Sequence, residues 1–312
     1  MRRPILLATM IVVALLVIAG IGYAIYNFTN DQSEPLPELL IRQIEALETE
    51  VDADPDNPAK HVELAAKYTE AGLYDSQYYD MAFQECETAL ELEENMQSAL
   101  LLTGRIHIIL EEYQQALDPL LLVIDLNQNE PELSRAFNEI LKEAYYYSGL
   151  CYIELEQGEQ AIVQLEERLE LSSGAPASDI ITLLGSAYYL TGNYDGAIEL
   201  YNEAVRFDLI HIEAYEGLVD AYEAKGESNK ALYAQGMVSY CLKDYDDAVT
   251  KLEQAVSVDQ TLAWAYQCLG MAHEELLQIN QAIEAYQHAV QLDPDLCWYS
   301  QGRLTQLGAS SS

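Results

Sequence analysis

The chain is poor in positive charge. Its 312 residues carry 15 lysines and arginines against 52 aspartates and glutamates, a formal net charge of -37 at pH 7. Surfaces that bind nucleic acids need clustered Lys and Arg, and a body this acidic repels a phosphate backbone. The composition therefore argues against DNA and RNA as partners and favours basic or apolar ones. Much of the charge is also what a well-solvated helix surface requires.

Cysteine is scarce and is not spaced for chemistry. The sequence contains no CxxC pair, so neither a zinc cluster nor a thioredoxin-type redox motif is spelled out. Most of the cysteines lie in apolar helical stretches, which predicts small core side chains. The five are Cys86, Cys151, Cys241, Cys268 and Cys297.

Catalytic and metal-binding motifs are also missing. The stretch His-Glu-Glu-Leu-Leu at residues 273–277 begins like a zinc-protease motif, but Leu277 stands where the second histidine ligand is needed. Residues 52–63 imitate an EF-hand loop, but Asn57 replaces the turn glycine and Pro55 stiffens the loop. We therefore expect no enzyme activity, no cofactor and no metal. A metal-binding or enzymatic domain is an alternative for which the sequence supplies no convergent ligands.

One long hydrophobic run lies near the N-terminus. Residues 4–28 contain no charged side chain, and at about 1.5 Å of rise per residue they could cross a hydrocarbon core of about 30 Å. Arg2 and Arg3 precede the run, while Asp31 and Glu34 follow it. By the positive-inside rule we predict a single-pass anchor in the cytoplasmic (inner) membrane, with the N-terminus inside and the rest extracytoplasmic. A cleaved signal peptide is the alternative, although the run exceeds a usual signal core.

A repeat period organises the remaining sequence. Gly236 precedes Gly270 by 34 residues, and Ala248 precedes Ala282 by the same 34. Apolar side chains within each period have helical spacing, which predicts two helices per unit. Small residues would let the two helices approach closely, and large ones would fill the remaining spaces.

The motif within the period points to a known family. Leu184 and Gly185 are followed by Tyr188 in the first helix, and Ala197 and Tyr201 stand in the second. This pattern resembles the tetratricopeptide repeat (TPR) family, here of a membrane-anchored bacterial type. The resemblance implies an all-α, right-handed superhelical solenoid of helix-turn-helix repeats, preceded by one transmembrane helix.

The resemblance varies along the chain and is broken once. Ala231 and Ala248 are 17 residues apart, half a unit, so residues 229–242 fit both the second helix of one repeat and the first helix of the next. We predict that a helix is missing here, with either a local change in superhelix pitch or a joint between two subarrays, and residues 172–176 are a second candidate joint.

Changes in composition and repeat quality divide the chain. Residues 29–37 are polar, acidic and proline-bearing, which predicts a short stalk. At the other end, Trp298 is expected to cover the last exposed core face. The predicted segments are a cytoplasmic start and anchor (1–28), the stalk (29–37), a capping helix (38–57), degenerate repeats (58–177), clear repeats (178–295), and a C-terminal capping helix and tail (296–312).

The resemblance also implies a function: binding a protein or peptide in a groove lined by the first helix of each unit. A groove rich in tyrosine, methionine and acid suits an extended or helical ligand with apolar and basic side chains. The residues expected to face it are Arg105, Tyr146, Tyr189, Glu216, Asp220, Tyr233, Met237, Tyr240, Trp264, Gln267 and Met271.

Other interpretations of these residues stay open. Each groove aromatic could instead be buried between helices. His107 and His273 stand where the family usually has an aromatic, and we expect both to be core residues. A more specific role is also possible, because cytochrome c maturation subunits join membrane helices to an acidic repeat domain that receives an apoprotein. The oligomeric state is not predicted.

Overall fold

A computed structural model describes residues 35–129, 138–172, 177–295 and 297–309 of the chain. The regular structure in these ranges is entirely helical. The helices are α1 (Glu38–Ala53), α2 (Pro58–Gly72), α3 (Gln77–Leu92), α4 (Gln97–Ile109), α5 (Tyr113–Asn129), α6 (Asn138–Glu154), α7 (Gly158–Glu170), α8 (Ser178–Leu190), α9 (Tyr194–Phe207), α10 (Ile212–Lys225), α11 (Ser228–Cys241), α12 (Tyr245–Val258), α13 (Ala263–Glu275), α14 (Ile279–Leu292) and α15 (Trp298–Gln306).

The predicted membrane anchor, residues 4–28, lies outside the described residues. Among the helices that are described, none is both long enough and apolar enough to cross a bilayer. The chain falls into two compact units, Met1–Ser173 and Gly174–Ser312.

In the first unit, successive helices pair as hairpins. Helix α2 packs against α3, α4 against α5, and α6 against α7, while α2 also touches α4 and α4 touches α6. Helix α1 adds Leu40 and Ile44 to the core at the N-terminal end, and Tyr68 of α2 donates a hydrogen bond to Glu48 at 2.7 Å. This is the alternation of first and second helices expected of a TPR-like solenoid.

A glycine in the first helix closes each regular hairpin. At Gly185 an added Cβ would lie 2.7 Å from the ring of Tyr201, closer than real Cβ contacts, so the glycine is the space into which the second helix packs. The same relation recurs along both units, in the pairs Gly104 and Leu120, Gly149 and Leu165, Gly236 and Leu252, and Gly270 and Tyr286.

The predicted half-unit break is confirmed in the second unit. Helix α10 packs against the preceding α8 and α9 as a first helix does, and α11 packs, also as a first helix does, against the second helix α12 that follows it and against the next first helix α13. The two first helices also pack directly on each other, with the rings of Tyr215 and Tyr233 in edge contact at 6.2 Å. Val219 stands 34 residues after Gly185. Helix α10 therefore lacks the glycine that would receive a second helix.

The C-terminal cap differs from the sequence expectation. Trp298 is 64% exposed, so the prediction that it covers the last core face is wrong. Cys297 and Leu304 are buried instead, and Tyr299 and Leu307 are partly buried against the same cluster. The reason is helical phase, because one residue turns about 100° around a helix and Trp298 follows directly after a residue on the buried face.

Replacing Gly185 with Ala tests the close approach of the two helices. The new methyl group would meet the buried ring of Tyr201, and overpacking of this kind lowers the free energy of unfolding by about 1–3 kcal/mol. Gly302→Ala is the matched control, because nothing lies within 4 Å of an added Cβ there. In the control the better helix propensity of Ala should be neutral or stabilise by about 0.5–1 kcal/mol.

The measurement is the urea midpoint followed by circular dichroism. Equal midpoints for the two glycine variants would contradict this account of the packing.

Candidate functional site

The predicted groove residues of the first unit are accessible and adjoin one another. Arg105 of α4 is half-buried, and its guanidinium carbon lies 5.7 Å from the ring centroid of Tyr147 in α6. Tyr146 is also half-buried and makes an edge contact with the Tyr147 ring at 5.3 Å. The cation of Arg105 thus already occupies one aromatic face.

Four of the groove residues predicted in the second unit are packing residues. Met237 is fully buried, and Gln267 is 1% exposed and accepts a hydrogen bond from Ser300 at 3.1 Å. Tyr233 and Met271 are also buried. Helix α11 is covered by α10, α12 and α13 because of the missing helix, so little of its surface reaches solvent. The sequence analysis left burial between helices open for the aromatic Tyr233; Met237, Gln267 and Met271 are buried as well.

Tyr189, Glu216 and Asp220 come together on α8 and α10. These helices pack on each other, and Glu216, Asp220 and Glu223 follow the i, i+4, i+7 spacing that places them on one face of α10. We call this face, with Tyr189 beside it, the acidic face. Its members are half-buried or exposed, and burial together with the charges of Asp220 and Glu223 raises the pKa of Tyr189.

The carboxylates of the acidic face are not neutralised. Burial raises the pKa of Glu216 to about 7, and the charges of Glu213 and Asp220 add to the effect. Asp220 is exposed, yet the helices around it exclude enough water to raise its pKa, and Glu223 raises it further. Among the described residues, no Lys or Arg forms a salt bridge with Glu216 or Asp220.

The nearest bases in sequence are already engaged. Lys225 pairs with Asp195 at 2.5 Å and with Glu227 at 2.9 Å. Lys230 pairs with Glu227 at 2.6 Å, and its ammonium lies 5.6 Å from the ring centroid of Tyr222. The acidic face therefore presents negative charge that the fold itself leaves available.

Trp264 borders a separate cleft. The cleft has a volume of about 830 Å³, and its lining includes Phe207 of α9, Tyr222 of α10, Lys230 of α11 and Leu292 of α14. Half-buried Trp264 and buried Tyr233, both predicted to face the groove of first helices, belong to this lining. The lining mixes aromatic side chains with charges of both signs, so it indicates the chemistry of a ligand less specifically than the acidic face does.

The remaining predicted residue, Tyr240, is half-buried near the C-terminal end of α11. Its ring packs against Tyr245 at a centroid distance of 5.4 Å, and its hydroxyl donates to Glu275 at 3.5 Å. The periodicity used to choose groove residues did not identify Tyr245 or Glu275. The sequence feature that could have identified Tyr245 is a pair of tyrosines five residues apart across a turn.

The histidines behave as structural side chains. His273 is buried with Nδ1 2.7 Å from Gln278, and half-buried His107 packs on the ring of Phe83 with a centroid distance of 4.7 Å. Buried His61, which lacked any sequence partner, lies 2.6 Å from a carboxylate oxygen of Glu85. Within the described ranges, no three His, Cys, Asp or Glu side chains converge as metal ligands would.

Comparison with known proteins gives partial matches. Anaphase-promoting complex subunit 3 of Schizosaccharomyces pombe is 23% identical over 215 residues, 69% of this chain and 28% of that protein. A TPR repeat-containing protein of Methanocaldococcus jannaschii is 22% identical over 242 residues, 67% of this chain and 40% of that protein. The chain thus spans less than half the length of these curated relatives.

Matches also occur among solved structures. A tetratricopeptide repeat protein from Parabacteroides merdae has 16% sequence identity and a TM-score of 0.48, with 96% of this chain and 95% of that chain covered. Yeast Tom70 has 15% identity and a TM-score of 0.46, with 92% and 62% covered.

Family models place the repeats on the chain. Residues 178–211 and residues 263–296 each match the tetratricopeptide repeat. These ranges correspond to the hairpins α8–α9 and α13–α14, which contain the glycine contacts described above. Residues 178–211 and 263–296 are therefore tetratricopeptide repeats within the helical fold of the described residues.

Proposed function

We propose that the protein binds a basic and apolar peptide segment of a partner protein on the acidic face, without catalysis of its own. The observation that supports this is the arrangement of Glu216 and Asp220, which burial holds partly out of water and which form no salt bridge with a Lys or Arg of the described ranges. A Lys or Arg of a ligand would relieve that repulsion, since a partly desolvated charge pair is stronger than an exposed one. Tyr189 supplies apolar contact area next to the charges.

The net charge would also assist encounter. A strongly negative body attracts basic segments over a distance of about one Debye length, about 8 Å at physiological ionic strength. Association should therefore slow as salt is added, whereas the apolar contact with Tyr189 should depend little on salt.

We further propose that residues 4–28 anchor the chain in the cytoplasmic membrane, with the repeats on the outer side. The ligand would then be an extracytoplasmic or membrane-bound protein.

A designed peptide tests the binding face. The probe is a fluorescent 12-residue peptide of Arg, Lys and Leu, with a counterpart that has Glu in place of the bases, titrated into the full chain in detergent. We expect binding of the basic peptide alone, and a loss of about tenfold, or about 1.4 kcal/mol, for the Glu216→Gln and Asp220→Asn double variant. Fluorescence anisotropy measures both.

The matched control removes the same charge elsewhere. Glu253 and Glu284 are exposed on α12 and α14, and changing both to Gln should weaken binding less than twofold, an effect of net charge only. An equal loss in both double variants would show that the acidic face is not the site. Binding of the acidic peptide would contradict the proposed ligand chemistry.

The raised pKa of Glu216 makes a separate prediction about stability. Its folded pKa of about 7 exceeds the unfolded value of about 4.3, so the folded state binds the proton more tightly. Stability should rise as pH falls through 7, and the ionised carboxylate should destabilise the fold at pH 8. Glu216→Gln should therefore raise the melting temperature at pH 8, with a difference that shrinks towards pH 5.

Thermal unfolding of the native chain and of the Gln variant at both pH values checks this prediction. Glu253→Gln, at an exposed position, is the control and should change the melting temperature less than Glu216→Gln does at pH 8. If Glu216→Gln stabilised the fold equally at pH 8 and pH 5, burial would not destabilise the ionised carboxylate.

A further inference from the structure

A seven-residue sequence pattern occurs at two turns in the second unit. Residues 189–195 read Tyr-Leu-Thr-Gly-Asn-Tyr-Asp, and residues 240–246 read Tyr-Cys-Leu-Lys-Asp-Tyr-Asp. Each joins a first helix to its second helix, α8 to α9 and α11 to α12. The spacing Tyr-x-x-x-Asn/Asp-Tyr-Asp is shared, although the residues between differ.

The backbone of the two turns is the same. In the first, Gly192 is left-handed with φ 80°, and the side chain of Asn193 accepts from the backbone N–H of Gly196 at 3.1 Å. In the second, Lys243 is left-handed with φ 64°, and the side chain of Asp244 accepts from the N–H of Asp247 at 3.2 Å. A left-handed residue ends one helix, and an Asn or Asp cap begins the next.

This geometry places tyrosines five residues apart in contact. The rings of Tyr189 and Tyr194 have centroids 5.4 Å apart and are inclined at 51°, and those of Tyr240 and Tyr245 are 5.4 Å apart and inclined at 60°. All four side chains are half-buried, so part of each ring remains accessible to a ligand.

A carboxylate from the next first helix completes each pair. Glu275 of α13 accepts a hydrogen bond from the Tyr240 hydroxyl at 3.5 Å. Burial, followed by the charge of Glu275, raises the pKa of both Tyr240 and Tyr245. The corresponding group at Tyr189 is Asp220 with Glu223, whose charges raise the pKa of that tyrosine.

We propose that each tyrosine pair, with its carboxylate, is a cage for the ammonium of a lysine or the guanidinium of an arginine supplied by a partner. The inference deepens the proposed function and rests on it, because it also requires a partner. It adds a second cation site at Tyr240, Tyr245 and Glu275. An aromatic face attracts a cation within about 6 Å of its centroid. The adjacent carboxylate supplies the opposite charge.

The protein already uses tyrosine in this way for its own cations. Lys230 lies over Tyr222 at 5.6 Å, and Arg105 lies over Tyr147 at 5.7 Å. Among the described residues no Lys or Arg occupies the faces of the two tyrosine pairs. Glu275, Asp220 and Glu223 also form no salt bridge within those ranges.

The turn does not require the tyrosines. Left-handed Glu111 and Leu277 occupy comparable turns, where the positions three residues before and two after are Ile108 with Tyr113, and Glu274 with Ile279. The Glu111 turn also faces a carboxylate of the neighbouring first helix, because burial and then the charge of Glu154 in α6 raise the pKa of Tyr113, but Ile108 supplies no second ring there. The fold of such a turn therefore does not require a tyrosine at both positions.

The test uses the full chain in detergent with ¹³C-labelled tyrosine rings, titrated with N-acetyl-arginine amide, N-acetyl-lysine amide and tetramethylammonium. N-acetyl-norleucine amide is the neutral control, and sodium chloride matches the ionic strength. We expect the ring signals of Tyr240 and Tyr245, and of Tyr189 and Tyr194, to shift with the arginine and lysine amides and to stay in place with the norleucine amide. Shifts of equal size with sodium chloride would overturn the proposal.

Paired variants separate the ring from the hydroxyl. Tyr245→Phe keeps the aromatic face and should change the apparent Kd at this cage less than about twofold, whereas Tyr245→Leu and Glu275→Gln should each raise it about threefold or more. Circular dichroism confirms that the variants are folded, and the unchanged Tyr189 cage serves as an internal reference. Equal affinities for the Phe and Leu variants would sink the cage.

The outcome can be told apart from failure of the proposed function. If the amide cations shift the cage signals but the basic peptide ignores the acidic face, the cage stands and the proposed function falls. A response to tetramethylammonium without one to the arginine or lysine amide would overturn the side-chain ligand and assign the cages to a small quaternary ammonium compound.

Discussion

The close approach of two helices at a glycine is the contact on which the rest of the structure depends. Where Gly185 or Gly270 stands in a first helix, a buried tyrosine of the second helix occupies the space that a Cβ would need. A hairpin built in this way presents fixed faces to its neighbours, because packed interiors do not deform continuously. Where Val219 replaces the glycine, no second helix follows, and α10 packs directly on α11. The presence of a side chain at this one position thus accompanies a change in how the array continues.

That change decides which side chains are available for binding. With α10, α12 and α13 all against it, α11 buries Met237 and Tyr233, which a regular array would have turned towards a groove. Its C-terminal end stays accessible, and there Tyr240 meets Tyr245 and Glu275. The regular pair α8 and α10 instead keeps an open acidic face. Surplus negative charge is tolerated at both places since an exposed or half-buried carboxylate retains part of its hydration.

Much of the fold could be predicted from the sequence, and the reason is physical. The 34-residue spacing of Gly236 and Gly270 reflects one contact repeated along the chain, so the helix pairs and the half-unit break were both readable. Which side chains are exposed to solvent was harder to predict. Gln267 and Tyr240 both lie on first helices, yet one is 1% exposed and the other half-buried. That difference depends on which helices flank each position, and such tertiary neighbours leave no periodic trace. The exposure of Trp298 was missed for a related reason, because a single residue of helical phase separates it from the buried side of the cap.

The tyrosine pairs show a kind of signal that helical periodicity overlooks. Contacts along one helix join residues three or four apart, whereas the turn between two helices brings residues five apart together, as it does for His273 and Gln278 at 2.7 Å. A ring contact across a turn therefore has a sequence signal: two tyrosines five residues apart, the second preceded by Asn or Asp and followed by Asp. The two pairs with this signal are Tyr189 with Tyr194 and Tyr240 with Tyr245. Such a turn is stiff because its backbone hydrogen bonds and cap fix both helix ends. Rings held on it lose little freedom when a ligand arrives, which is the property that a preorganised binding site needs.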